Sequence, residues 1–305
     1  MGKKNLNIHF SLVAGAALAA LLVTALAVFM FGEYSRSTTS PVSGRLTVGA
    51  DRALQDIVRR LGDSFSSYYT EASISVEQGV SPDIFSGFAS GRLSSAMLHG
   101  GLTRQEKALL EKQGRSFRCE PVARNAAVVV ANADAGLTSL DFEYLRALSA
   151  GKGESRELRL FLDRRDLRFH YLLLRLLDTG LDRLVAHTVS GPRALVDTVA
   201  SDRRAIAVLP LSDALAELAE RPEGPDRPVL VPLSAAALAP LYPDQSSIYA
   251  ESYPLVYTIC YLYDTHDALA TGFGAWMARQ GQKTFMRSSL APFRIPERRI
   301  ELQEE

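Results

Sequence analysis

Arginine, aspartate and histidine are the side chains here best placed to do chemistry, and their spacing suits holding a charged small molecule. Arg164, Arg165 and Arg168 fall within five residues, in Asp163-Arg164-Arg165-Asp166-Leu167-Arg168. Guanidinium forks match oxyanions; the other reading is a solvated loop in which Asp163 and Asp166 pair with them locally. Asp51 and Arg52 follow the apolar segment Leu46-Thr47-Val48-Gly49 and open a helical pattern. There Arg52 can pair with an anion at the helix N-terminus. Asp51 repels a dianion unless it is protonated or turned away. Of the five histidines, His170 sits in an apolar helical run and reads as packed or surface. No Ser-His-Asp or Cys-His arrangement follows from linear order. The motifs G-x-S-x-G, G-x-x-x-x-G-K-[ST], H-E-x-x-H and G-x-G-x-x-G are absent, as are C-x-x-C and zinc-spaced Cys/His clusters. The reading is of a non-enzyme with no catalytic residue, metal or cofactor.

Composition narrows the partners. Lys and Arg number 34 against 34 Asp and Glu, so no global field for nucleic acid exists. Hydrophobic residues make up 47% and aromatics 8%, enough for a real core. Phe10–Phe31 is an apolar run interrupted only by Ser11 and Thr24, with Lys3 and Lys4 before it. At ~1.5 Å per residue it can cross a ~30 Å hydrocarbon layer. The flanking lysines then predict a cytoplasmic N-terminus and a main domain across the membrane. A cleaved signal peptide is the rival, with Ala25-Leu26-Ala27 as its cleavage motif. Residues 1–9 read as a cytoplasmic tail, 10–31 as a transmembrane helix, 32–44 as a linker and 45–305 as the main domain.

Strands and helices alternate through that domain. Strands are expected at 46–49, 74–76, 93–98, 117–131, 158–162, 185–189, 205–209, 229–231 and 253–263. Leu54, Ile57, Val58, Leu61 and Phe65 share one helical face. Ser81 before Pro82 reads as a helix cap, Thr103-Arg104-Gln105-Glu106 as a capping box, and Thr138 as the cap of a helix through Leu148. Further helices are expected over 169–177, 193–200, 213–220 and 267–280. Such alternation implies an α/β fold with mostly parallel sheets.

In this order the segments resemble the periplasmic phosphate-binding proteins of ABC importers. The resemblance is carried by Leu46-Thr47-Val48-Gly49-Ala50, by Pro121–Asn132, by Leu137-Thr138 with its helix to Gly151-Lys152, and by Ser252-Tyr253-Pro254-Leu255. Gly281-Gln282-Lys283 with Pro292 and Arg299-Ile300 completes it. It implies a two-lobed periplasmic binding-protein fold, lobe one being 45–121 with 252–305 and lobe two 122–251, and a small phosphate-like anion in the cleft between them. Against that pattern, Asp51 and Arg52 replace small hydroxyl residues in the first ligand loop. Ser94 stands for the family's Asp, His99 for its Ser and Gly100 for its Arg. A third, Ser-Gly-Thr type loop is missing at Asp163–Arg168. The candidate contacts are therefore Asp51, Arg52, Ser94, Ser95, His99 and Arg168, in a diverged and weakened site. Cys119 and Cys260 would come into register near the hinge if their strands pair antiparallel, either bonded or as two small buried residues. Tyr257, Tyr261 and Tyr263 share one strand face. The leading expectation is an inner-membrane-anchored solute-binding protein. The other is a ligand-free accessory subunit of a membrane-protein complex, of the ExbB–ExbD–TonB type.

Overall fold

The computed structural model describes residues 39–152, 158–180, 183–221, 224, 227–235 and 239–295. The expected tail, transmembrane helix and most of the linker lie outside the described residues. No described helix is long and apolar enough to cross a membrane.

The chain opens with β1 (Gly44–Ala50), α1 (Arg52–Tyr68), β2 (Ala72–Gln78), α2 (Ser81–Ala89), β3 (Ser95–His99), α3 (Arg104–Lys112) and the long β4 (Phe117–Asn132). It continues through β5 (Leu140–Asp141), α4 (Phe142–Ser149), β6 (Arg159–Asp163), α5 (Leu167–Leu176), β7 (His187–Val189), α6 (Pro192–Ser201), β8 (Ala205–Pro210) and α7 (Leu211–Ala219). After β9 (Pro228–Val231), β10 (Leu233–Ser234) and α8 (Gln245–Tyr249), β11 (Val256–Asp264) returns to the first part. α9 (Ala268–Met277), α10 (Gln282–Met286) and β12 (Ala291–Pro292) follow.

The main sheet runs β2-β1-β3-β11-β4-β8-β6-β7. β4 joins its two lobes. Its N-terminal part pairs antiparallel with β11, and its C-terminal part with β8 and β9. The flanks, β1 with β2 and β3 and β6 with β7 and β8, are parallel. Parallel strands connected by helices bring their C-terminal ends, and the helix N-termini after them, to one edge. This is an α/β fold of two lobes joined through β4 and β11.

Burial follows the periodicities. On α1, Leu54, Val58, Leu61 and Phe65 are fully buried and Ile57 nearly so. The central β4 residues Ala126–Ala131 are buried on both faces, as a strand covered on two sides requires. Tyr257, Tyr261 and Tyr263 are buried in packing, with Tyr261 against Phe273 and Tyr263. At the N-terminal edge, the chain crosses α9 so closely that a Cβ on Gly272 would lie 1.9 Å from the Pro41 carbonyl oxygen.

Four local expectations are corrected. Ser81 does not cap α2; Val80 occupies that position, and the Ser81 hydroxyl donates to Asp51 instead. Thr138 does not cap α4; Asp141 does, accepting from Tyr144 N at 3.1 Å. The return strand starts at Val256, after a turn over Ser252–Leu255. The helix expected over 267–280 has Asp267 as its cap and ends at Met277.

Candidate functional site

The C-terminal ends of β1 and β6 meet the N-termini of α1, α2, α6 and α7 around an open cleft of about 400 Å³. Asp51, Arg52, Ser81, Asp163, Arg165, Asp166 and Asp213 contribute its charged and hydroxyl groups. Asp51 caps α1, because it directly follows a strand and its carboxylate can accept from Leu54 N at 3.2 Å. The same carboxylate accepts from Ser81 Oγ at 3.1 Å and meets His99 Nε2 at 3.2 Å. His99 Nδ1 lies 3.0 Å from the Tyr257 hydroxyl. A continuous polar relay, Ser81–Asp51–His99–Tyr257, thus runs from the cleft lining into the buried interior.

Charge in this relay is internally balanced. Burial would raise the Asp51 carboxyl, but the His99 charge and hydrogen bond, with those of Ser81 and Leu54, hold it below the usual range. Burial would lower His99, yet Asp51 prevails and raises it. The two form a buried ion pair. Neither Asp166 nor Asp213 forms an ion pair among the described residues. Burial, together with the Asp51 charge and against the pull of His99, lifts Asp166 to about 6. Burial and then Asp51 lift Asp213 to about 7. Asp166 caps α5 through Phe169 N at 3.0 Å. Asp213 makes no hydrogen bond or ion pair within the described residues.

Each arginine of this region already has a partner. Arg52 Nη2 lies 2.6 Å from Glu217 Oε1 on α7, in the other lobe. Arg168 donates through Nε to the His99 carbonyl and through Nη2 to the Gly101 carbonyl, both at 2.9 Å, and pairs through Nη1 with Glu106. Arg164 donates to Ser190 Oγ at 2.9 Å, and Arg165 keeps a loose 3.8 Å pair with Asp163. Only Arg165 pairs locally with an aspartate as the solvated-loop reading expects; Arg164 reaches Ser190, and Arg168 crosses between lobes.

Of the six candidate contacts, Asp51 and Arg52 line the cleft and His99 lies beneath it through Asp51. Arg168 packs behind the cleft. Ser94 and Ser95 are at the wrong end of β3: Ser95 Oγ donates to the Thr47 carbonyl at 3.4 Å, and the Ser94 carbonyl accepts from Asp264 N. At ~3.3 Å rise per residue, four residues put Ser95 roughly 13 Å from His99 along the strand. The sequence reading missed Asp213, Tyr257 and Glu217 as parts of this region. They come from strands and helices far along the chain, and only the helix-start position of Asp213 offered a signal. Cys119 and Cys260 form a disulfide between β4 and β11, with Cα atoms 5.7 Å apart. No grouping of three or more His, Cys, Asp or Glu residues suited to a metal ion occurs among the described residues.

Comparison with known proteins places this geometry. A family model described as a PBP superfamily domain matches residues 35–280. The chain belongs to the PBP superfamily. No curated protein matches the sequence. Among solved structures, this PBP domain is similar to a substrate-binding protein with bound phosphate from Clostridium perfringens, assigned to a phosphate ABC transporter. The TM-score is 0.64 at 11% identity, over 82% of this chain and 99% of that one. An ABC-type phosphate transport receptor from Vibrio cholerae gives 0.61 at 15% identity, over 81% and 99%. Full-length OxyR from Pseudomonas aeruginosa gives 0.56 at 16%, over 90% and 87%. The resemblance to phosphate-binding proteins therefore holds for the PBP fold, and a fold shared with OxyR does not by itself choose a ligand.

Proposed function

We propose that this PBP-superfamily chain is a membrane-anchored receptor of the solute-binding type, lying on the outer face of the inner membrane, with a ligand cleft altered from the phosphate-binding pattern. The scaffold supplies two lobes hinged at β4 and β11, able to clamp a small solute and present it to a membrane partner. One observation carries the reading of an altered site. The cleft brings four carboxylates together, while Arg52 and, behind the cleft, Arg168 are each paired with a glutamate and Arg165 keeps a loose pair with Asp163. Charge-assisted hydrogen bonds are worth ~1.5–3 kcal/mol each, so removing two or three weakens phosphate binding by orders of magnitude. A phosphate-like anion would then bind only weakly. Calorimetric titration of the purified full chain with inorganic phosphate tests this. A weak or undetectable heat is expected, and sub-micromolar affinity would overturn it.

A second reading is a ligand-free accessory subunit that docks on a membrane-protein complex. The direct ion pairs between lobes favour it, since they hold the domain together without solute. Affinity purification from detergent extracts separates the two. Stoichiometric membrane subunits, retained equally with and without phosphate, point to docking. Thermal stabilisation by phosphate, which scales as RT ln(1 + [L]/Kd), points to solute binding.

A further inference from the structure

In a solute-binding fold the ligand ordinarily bridges the lobes. Here, among the described residues, two ion pairs bridge them directly, and they run in opposite directions. Arg52, at the start of α1, reaches Glu217 on α7. Arg168, on α5, reaches Glu106 on α3. The second pair is well fixed at both ends. Glu106 belongs to a capping box, its other oxygen accepting from Thr103 N at 2.7 Å, and Arg168 has two further bonds, to the His99 and Gly101 carbonyls. The Arg168–Glu106 pair is well shielded, its side chains 9% and 18% exposed, whereas in the other pair Glu217 is buried at 5% and Arg52 is half-exposed. A carboxylate on a guanidinium is also the contact that an oxyanion ligand would make.

We propose that the protein closes on its own carboxylates: Glu217 and Glu106 take the place of a solute, clasping Arg52 and Arg168 and holding the lobes shut without one. An incoming anion competes with Glu217 for Arg52. Glu217 is thus an intramolecular competitor as well as a tie. This inference rests on the reading of an altered solute cleft, and its test is separable from that one.

The test uses the full chain in detergent, with spin labels on Leu109→Cys in α3 and Leu215→Cys in α7, both exposed positions on opposite lobes. Double electron–electron resonance should give one narrow distance without solute, unchanged by millimolar inorganic phosphate. Combining Glu217→Gln with Arg168→Gln should broaden it. Arg52→Gln, at a half-exposed position, is a milder variant that should broaden it in part. Calorimetry should show Glu217→Gln binding inorganic phosphate about tenfold or more tighter than the unaltered chain, ~1.4 kcal/mol per factor of ten. A broad distribution in the unaltered chain that narrows only with phosphate overturns the clasp. So does a distribution that the folded variants leave unmoved. Tight phosphate binding by the unaltered chain would instead sink the altered-cleft reading, whatever the distances.

Discussion

Asp213 shows how one side chain can set the pH response of the cleft. Its carboxyl titrates near 7 in the folded protein, against 3.8 for the ordinary value. Between those values the folded state holds a proton that the unfolded state has lost, so stability falls as pH rises from about 4 to 7. Asp166 adds the same sign up to about 6. His99, raised by Asp51, also contributes stability that is complete below ~6.5 and lost as pH rises through its folded value. Asp51 acts oppositely: its contribution is present above ~3.8 and lost as pH falls through its folded value. Asp213→Asn should therefore flatten the decline and stabilise the protein above pH 7 by on the order of 1–2 kcal/mol, read from urea unfolding between pH 5 and 8. Loss of stability at pH 8 would mean that the ionised carboxylate makes a favourable contact. His99→Leu should do the reverse of Asp213→Asn. It leaves Asp51 charged and poorly paired, costing about 3 kcal/mol at pH 7, and an unchanged melting curve would remove the ion pair from the account.

Among the elements, β4 and β11 determine how the lobes are connected, and the Cys119–Cys260 bond ties them across a sequence separation of 141. Mass spectrometry of unreduced protein should show the two cysteine peptides linked. Reduction should lower stability by about 2–4 kcal/mol, because the bond restricts a long loop in the unfolded chain. Free thiols in protein drawn from its native compartment would refute this. The elements themselves were largely legible in the sequence. Val128–Val130 marked a doubly covered strand, Thr103 and Glu106 marked a helix start, and the Leu54–Phe65 face marked α1, because local periodicity and capping are short-range effects. Ser81 misled for an equally local reason. A hydroxyl before proline is a good cap, but here it met a carboxylate thirty residues away. Ser94 and Ser95 misled because strand direction, which decides the end that faces the cleft, is set by pairing with β1. Glu217 carried no local signal, and its meeting with Arg52 exists only after the lobes have closed.

At the scale of the whole molecule, the clasp and the expected anchor argue for a body held close to one surface. The N-terminal segment packs on α9, where the Pro41 carbonyl lies against Gly272, so the chain leaves the body from a defined face. If residues 10–31 span the membrane, residues 32–38 are the reach left before the body begins. Seven residues at ~3.4 Å each extend at most about 24 Å. A domain on so short a tether stays beside its neighbours at high effective concentration and gives up diffusion through the compartment. That suits a protein working beside one membrane partner more than a free carrier. Carbonate extraction should therefore leave the full chain in the membrane pellet. Protease added to spheroplasts should digest the main domain while sparing a fragment that begins at the original N-terminus. Recovery of soluble protein starting just after Ala27 would show that the apolar run is a cleaved signal, and the short-tether argument would fall with it.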